Sequence, residues 1–209
     1  AYFFLKIKAA FPGKGDEPKN RSGRKTSDNL EKGNQAEKEL ELALKRRLPK
    51  KDWHILSNVT LNRNDDGGAT QIDLIALSVF GIFVLEVKSL KGHIYANEGA
   101  NWFVHSYPGS PRLVLQNPHR QNHAHVMALA KTLAPLKTLD PKHLISVVAL
   151  MCTAKYQGLP ENTYTDVDRL IEALQSHEEK IISHGSMPIA IGLVEYNRLY
   201  DLPETDHSA

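Results

Sequence analysis

The 209-residue chain is 41% hydrophobic, 24% charged and 7% aromatic. That balance fits one ordinary globular domain, alone or with a tail, and excludes collagen-like, coiled-coil and wholly disordered chains. The single cysteine, Cys152, excludes a disulfide framework and any cysteine-based zinc site. The net charge of +2 conceals an asymmetry, because residues 1–51 carry 14 Lys+Arg against 7 Asp+Glu and the remainder 12 against 17. Such a basic arm suits an anionic partner, nucleic acid or the cytoplasmic face of a membrane, or serves as a solvated linker.

No apolar run reaches the roughly 18 residues that span a bilayer. Tyr2, Phe3, Phe4 and Leu5 followed by Lys6 and Lys8 read either as the basic-flanked end of a membrane anchor preceding this sequence or as an edge strand. Gly, Pro, Ser and charge dominate residues 12–30, the composition of a disordered linker. Residues 1–30 are therefore expected to form a basic linker or membrane-proximal segment. The expected location is the cytoplasm, at the inner face of the membrane in the anchored case.

Ordered structure is expected from residue 31. Glu37, Leu40, Glu41, Leu44 and Leu48 follow helical spacing, with Arg46 and Arg47 at the end that the helix dipole favours. Glu37 sits on the edge of the apolar stripe, where it either snorkels to solvent or aims into a site. Strands are expected over 53–61, 70–78 and 81–90, with a turn signal at Asn64-Asp65-Asp66-Gly67-Gly68 between the first two. The third, Ile82-Phe83-Val84-Leu85-Glu86-Val87-Lys88, is apolar on both faces and reads as a central strand covered on both sides. A hairpin (92–95 with 101–107), a helix from Asn117-Pro118 to Leu133, a buried strand 144–153 and a helix over 166–179 capped by Thr165 follow. The order implies an α/β fold, a mixed central β-sheet flanked by helices. The tail from Ser183 carries no firm pattern.

The chemistry concentrates at Asp73, Glu86 and Lys88. Residues two apart in a strand point the same way, so Glu86 and Lys88 share a face roughly 7 Å apart and Val87 points opposite. If strands 70–78 and 81–90 pair as a hairpin, Asp73 sits beside Glu86. Two carboxylates at that distance repel unless they share a cation. An all-oxygen donor set selects a hard ion, Mg²⁺ or Mn²⁺. That composition suits phosphodiester hydrolysis, with lysine stabilising charge that develops on the phosphate. The alternative is a buried ion-pair network with no ligand.

The series Gly33-Asn34-Gln35-Ala36-Glu37, Gln71-Ile72-Asp73, Gly81 to Lys88, Gly92-His93-Ile94, Trp102 and Asn117-Pro118-x-x-Gln121 resembles the nuclease-related domain (NERD) family over residues 33–155. That family is itself similar to the restriction-endonuclease-like PD-(D/E)XK superfamily. The resemblance implies a restriction-endonuclease-like core and metal-dependent nuclease activity on nucleic acid, DNA more than RNA. It assigns Glu37 as the helix glutamate, Asp73 and Glu86 as ligands of Mg²⁺ or Mn²⁺, Lys88 as the catalytic lysine, and Gln71 and Gln121 as accompanying amides. Ala36 departs from the family's second glycine, and Ile72 stands where the superfamily has proline. The implied domain covers residues 31–155, and residues 156–209 are expected as a helical extension packed on it. An inactive nucleic-acid-binding or scaffold module of the same fold is the competing expectation.

His119, His123 and His125 lie close together in residues 116–125. His119 and His123 are spaced for one helix face, yet no third metal ligand accompanies them. They are expected, with Arg120 and Asn117, to line the rim of a nucleic-acid groove or to be exposed.

Overall fold

A computed structural model describes residues 22–63, 68–107, 109–137, 139–151 and 154–199. The apolar stub at Tyr2–Leu5, most of the turn after residue 62, and Cys152 fall outside the described residues. The elements in chain order are α1 (Ser22–Arg47), β1 (Trp53–Asn62), β2 (Ala69–Ser78), β3 (Gly81–Lys88), β4 (His93–Tyr95), β5 (Asn101–His105), β6 (Leu113–Gln116), α2 (Pro118–Leu133), β7 (Leu144–Leu150), β8 (Lys155–Gln157), β9 (Thr163–Tyr164), α3 (Val167–Gln175) and α4 (Met187–Asn197). A single 3-10 turn, Pro141–His143, leads into β7.

Five strands form the main sheet in the order β1-β2-β3-β7-β9. β1, β2 and β3 pair antiparallel, and β7 runs parallel to β3 with Ile82 opposite Leu144. Parallel neighbours need a long crossover, which α2 and the segment after it supply. β3 is therefore central, and its first seven residues are all buried, as its two apolar faces require.

Helices cover both faces. On one, α2 and α4 pack Leu129, Leu133, Ala190 and Val194 on Leu56, Leu61, Ile75 and Val84. On the other, α1 and α3 pack Leu40, Leu44, Leu170 and Leu174 on Ile55, Leu74, Phe83 and Val87. Leu40 and Leu44 are almost fully buried, each contributing roughly 1.5–3 kcal/mol by removal from water. The arrangement is an α/β fold consistent with a restriction-endonuclease-like core.

A second sheet, in the order β6-β5-β4-β8, packs Ile94, Trp102 and Val104 on Val148 and Leu150 of β7. Gly92 makes its closure workable. Its φ is +102°, and a Cβ there would lie 2.1 Å from the carbonyl oxygen of His105.

The structure differs from the sequence expectations at several points. α1 begins at Ser22, inside the stretch expected as linker. No proline follows Pro18 there, and extending a helix already nucleated adds one hydrogen bond per residue fixed. The 166–179 helix is capped by Asp166, whose side chain accepts from Arg169 N–H at 3.0 Å; Thr165 precedes the cap. Asp168, in the first turn of this helix, pairs with Arg47 of α1. Residues 155–197 supply β8, β9, α3 and α4 to the two sheets and both cores, so this part is strand as well as helix.

Candidate functional site

The site forms where β1 and β2 lose their regular alternation. Ile72 packs in the α2/α4 core, whereas Leu74 and Ala76 pack in the α1/α3 core. The same switch occurs in β1, where Ile55 lies on the α1 side while Val59 and Leu61 lie on the α2 side. Pairing lapses between Ser57↔Leu74 and Val59↔Ile72. Asn58 sits in that gap with φ of 52°, a left-handed conformation that asparagine tolerates better than most residues. Asp73 stands opposite it, at the irregular point.

The β2–β3 ladder runs from Ser78↔Gly81 to Leu74↔Leu85. The same register brings Asp73 opposite Glu86, and there a side chain takes over from the backbone. Asp73 Oδ2 accepts the Val87 N–H at 2.7 Å. Burial pushes the Asp73 carboxyl up to about 8, helped by the charge of Glu86 and opposed by that Val87 hydrogen bond.

Glu86 is completely buried. Its Oε1 faces the Lys88 ammonium in an ion pair but makes no hydrogen bond of good geometry. Its Oε2 lies 3.0 Å from His125 Nε2, and His125 Nδ1 lies 2.6 Å from Thr70 Oγ1. Lys88 keeps about a fifth of its side chain exposed, at 22%, so the amine looks outward from the buried carboxylate. Glu37 on α1 is half-buried, and burial followed by the charge of Glu86 raises its pKa, with Lys88 acting the other way. Three acids and one lysine thus share a single field.

Glu37 opens on a cleft of about 450 Å³ together with Ser57, Asn58 and Gln71. The Gln71 amide donates to Asn58 Oδ1 at 3.3 Å. Gln121 lies on α2 one turn before His125 and is half-buried. The remaining residues singled out by sequence gather at the start of α2, where Glu98, Asn117, His119, Arg120 and His123 line a separate cleft of about 480 Å³. Asn117 is engaged in architecture: it caps α2 through His119 N–H, and its amide donates to the carbonyls of Asn97 and Gly99. His119 Nε2 sits 2.7 Å from Thr163 Oγ1, and burial lowers its pKa.

His125 is neither on a rim nor exposed. It is 3% exposed and bonded to Glu86. The signal was in the spacing, since Asn122, His125 and Leu129 form one helical stripe and all three are buried. Asn122 reaches the carbonyls of Val84 and Val147 at 2.8 and 3.0 Å, which fixes α2 across β3 and β7. Thr70, the partner of His125, carried no sequence signal.

The donor set fits a hard divalent cation. All candidate ligands are oxygens, and burial with the charge of Glu86 raises the Asp73 carboxyl even with Lys88 nearby, a cost that a further cation would relieve. Asp73 and Glu86 are the residues that would hold the ion. Among the described residues, however, no group of three or more His, Cys, Asp or Glu side chains is arranged to hold a metal. No helix among them is long and apolar enough to cross a membrane.

The chain is an α/β domain consistent with a restriction-endonuclease-like core. Residues 32–151 match the nuclease-related domain model, and the chain belongs to the NERD family. It is also similar to an uncharacterized protein of Bacillus anthracis, 35% identical over 99 residues, which are 47% of this chain and 45% of that protein. The chain thus spans less than half the length of the curated relative it matches.

Proposed function

We propose that this domain hydrolyses phosphodiester bonds in nucleic acid, DNA in preference to RNA, with Mg²⁺ or Mn²⁺ held by Asp73 and Glu86. The observation that supports this reading is the shared field of Glu37, Asp73, Glu86 and Lys88, with Asp73 pushed up to about 8. Crowded carboxylates of this kind are held ready for a cation rather than optimised for stability.

When bound, the ion supplies Lewis-acid polarisation of the phosphate and activation of a water. Lys88 donates to the phosphate oxygen that gains charge in the transition state. The Val87 N–H fixes the Asp73 carboxyl, and His125 fixes Glu86. Glu37, with its raised pKa, orients the attacking water and takes its proton as the P–O bond to the leaving sugar oxygen breaks, that oxygen taking a proton from solvent. Gln71 and Gln121 hydrogen-bond the phosphate backbone, and Arg120 with His119 lies along its path.

A second reading is a nucleic-acid-binding or scaffold module with weak or no hydrolysis. It is favoured by the fact that both Glu86 oxygens already face Lys88 or His125. Incubation of supercoiled plasmid and of single-stranded DNA with purified protein separates the two. The nuclease reading expects cleavage only with added Mg²⁺ or Mn²⁺, and none in Lys88→Ala. Binding without cleavage in any divalent ion selects the second.

A further inference from the structure

The outer face of the second sheet has no role in the site above. Its composition is unusual for a sheet turned to solvent. β4 and β5 pair His93 with His105 and Tyr95 with Phe103. These four side chains point outward, because the alternate residues Ile94, Trp102 and Val104 are buried against β7. β8 adds Lys155 beside His93, again outward, since Tyr156 packs inward. Arg112, just before β6, lays its guanidinium over the Phe103 ring, 4.2 Å from the centroid. Tyr95 meets His105 edge-on at 5.7 Å and 85° and remains 42% exposed.

The face carries aromatic and basic side chains beside the amides of Asn101, Gln116 and Gln157 and the exposed Val114, with no carboxylate among the described residues of its strands. None of the residues in β4, β5, β6 or β8 is Asp or Glu. An ordinary solvated face mixes both signs and avoids large rings. Rings and guanidinium planes that stand outward from a sheet, with cations at the border and no repelling acid, match unpaired bases on a phosphate backbone. Duplex DNA hides the faces of its bases, so it cannot use the rings.

We propose that the outer face of the β6-β5-β4-β8 sheet is a binding platform for single-stranded nucleic acid. Tyr95 and the Arg112–Phe103 pair stack bases, and Lys155 with Arg112 contacts phosphates. The platform is continuous with the candidate active site along the chain. Four residues separate the end of β3 at Lys88 from the start of β4 at His93, and Met151 N–H is bonded to the Lys88 carbonyl at 2.9 Å. The inference deepens the nuclease reading by naming its substrate class, and only that role as substrate, not the binding itself, rests on it.

Fluorescence anisotropy in EDTA tests the platform without any cleavage. The probe is a labelled oligothymidylate of about twelve nucleotides, within the span of small single-strand sites, compared with its duplex with oligodeoxyadenylate. The single strand is expected to bind more tightly than the duplex. Tyr95→Ala and Arg112→Ala should each weaken it about tenfold, the scale of one lost stacking contact, while Tyr95→Phe binds as the parent does. Lys155→Ala should flatten the dependence of log Kd on log salt by about 0.7, one phosphate contact. Tyr95, Arg112 and Lys155 are all exposed, so these variants keep the fold. Equal affinity for duplex and single strand overturns the proposal. So does unchanged affinity in Tyr95→Ala and Arg112→Ala, whether or not the protein cleaves DNA. Single-strand binding through these residues without cleavage in Mg²⁺ or Mn²⁺ upholds the platform and removes the nuclease reading instead.

Discussion

Asp73 Oδ2 takes the N–H of Val87 at 2.7 Å, at the point where the β2–β3 ladder stops after Leu74↔Leu85. A carboxyl group therefore completes the hairpin, directly opposite the buried Glu86. That one contact ties the sheet register to the proposed site.

Asp73 titrates far above its ordinary value of 3.8, at about 8, so the folded protein holds this proton at neutral pH while the unfolded chain releases it. Its contribution to stability is complete below roughly pH 4 and is lost as pH rises towards the folded value. Thermal unfolding should show a midpoint that falls between about pH 5 and 8 in the parent. Asp73→Asn keeps an acceptor for Val87 N–H and should flatten this fall. An equal slope in the variant would remove Asp73 as its cause.

Lys88 is the counter-charge of a carboxylate with no exposed surface. Lys88→Met should lower stability by about 3–5 kcal/mol, the usual consequence of stranding a buried charge. The double variant Glu86→Gln, Lys88→Met should recover much of that loss, giving a coupling of at least about 1 kcal/mol in a chemical-denaturation cycle. Additive losses would mean that the ion pair is not formed in solution.

His125 bridges Glu86 and Thr70 inside the protein. His125→Ala takes the ring nitrogens from Glu86 Oε2 and Thr70 Oγ1, leaving Glu86 with Lys88 alone, and should cost about 1–3 kcal/mol in urea unfolding. His123→Ala, on the exposed side of the same helix, should be neutral. Equal effects from the two would contradict the buried position of His125.

Gly92 tests the second sheet. A side chain there meets the His105 carbonyl at 2.1 Å, on a backbone with φ of +102°. Gly92→Ala should cost roughly 1–3 kcal/mol in strain and lower amide-exchange protection in β4 and β5. Unchanged protection in both strands would contradict this packing.

Much of the fold was legible because its strongest signals are the ones burial enforces. An apolar run as unbroken as Ile82–Leu85 has no stable place except the middle of a covered sheet, and β3 is there. The hairpin that sequence left conditional is formed across the two-residue turn Val79–Phe80, and its register sets Asp73 opposite Glu86. β6, β8 and β9 are two to four residues long, too short for alternation to stand out. They depend on partners that sequence does not name. α4 carries Pro188 and Gly192 and an apolar surface with little one-sidedness, which hid its helical period. The break of alternation at Asn58 and Asp73 was invisible because a left-handed asparagine leaves no pattern in its neighbours. His125 was misplaced for a simpler reason: a histidine among polar residues resembles surface, although its stripe with Asn122 and Leu129 marks the buried side.

Calorimetric titration of Mn²⁺ into the parent protein and into Glu86→Gln tests most directly whether Asp73 and Glu86 share a divalent ion. The account predicts a single binding event in the parent, tightening up to about tenfold per pH unit until the Asp73 proton is gone near pH 8, and its loss in Glu86→Gln. No binding heat in the parent, or the same affinity in Glu86→Gln, would contradict it.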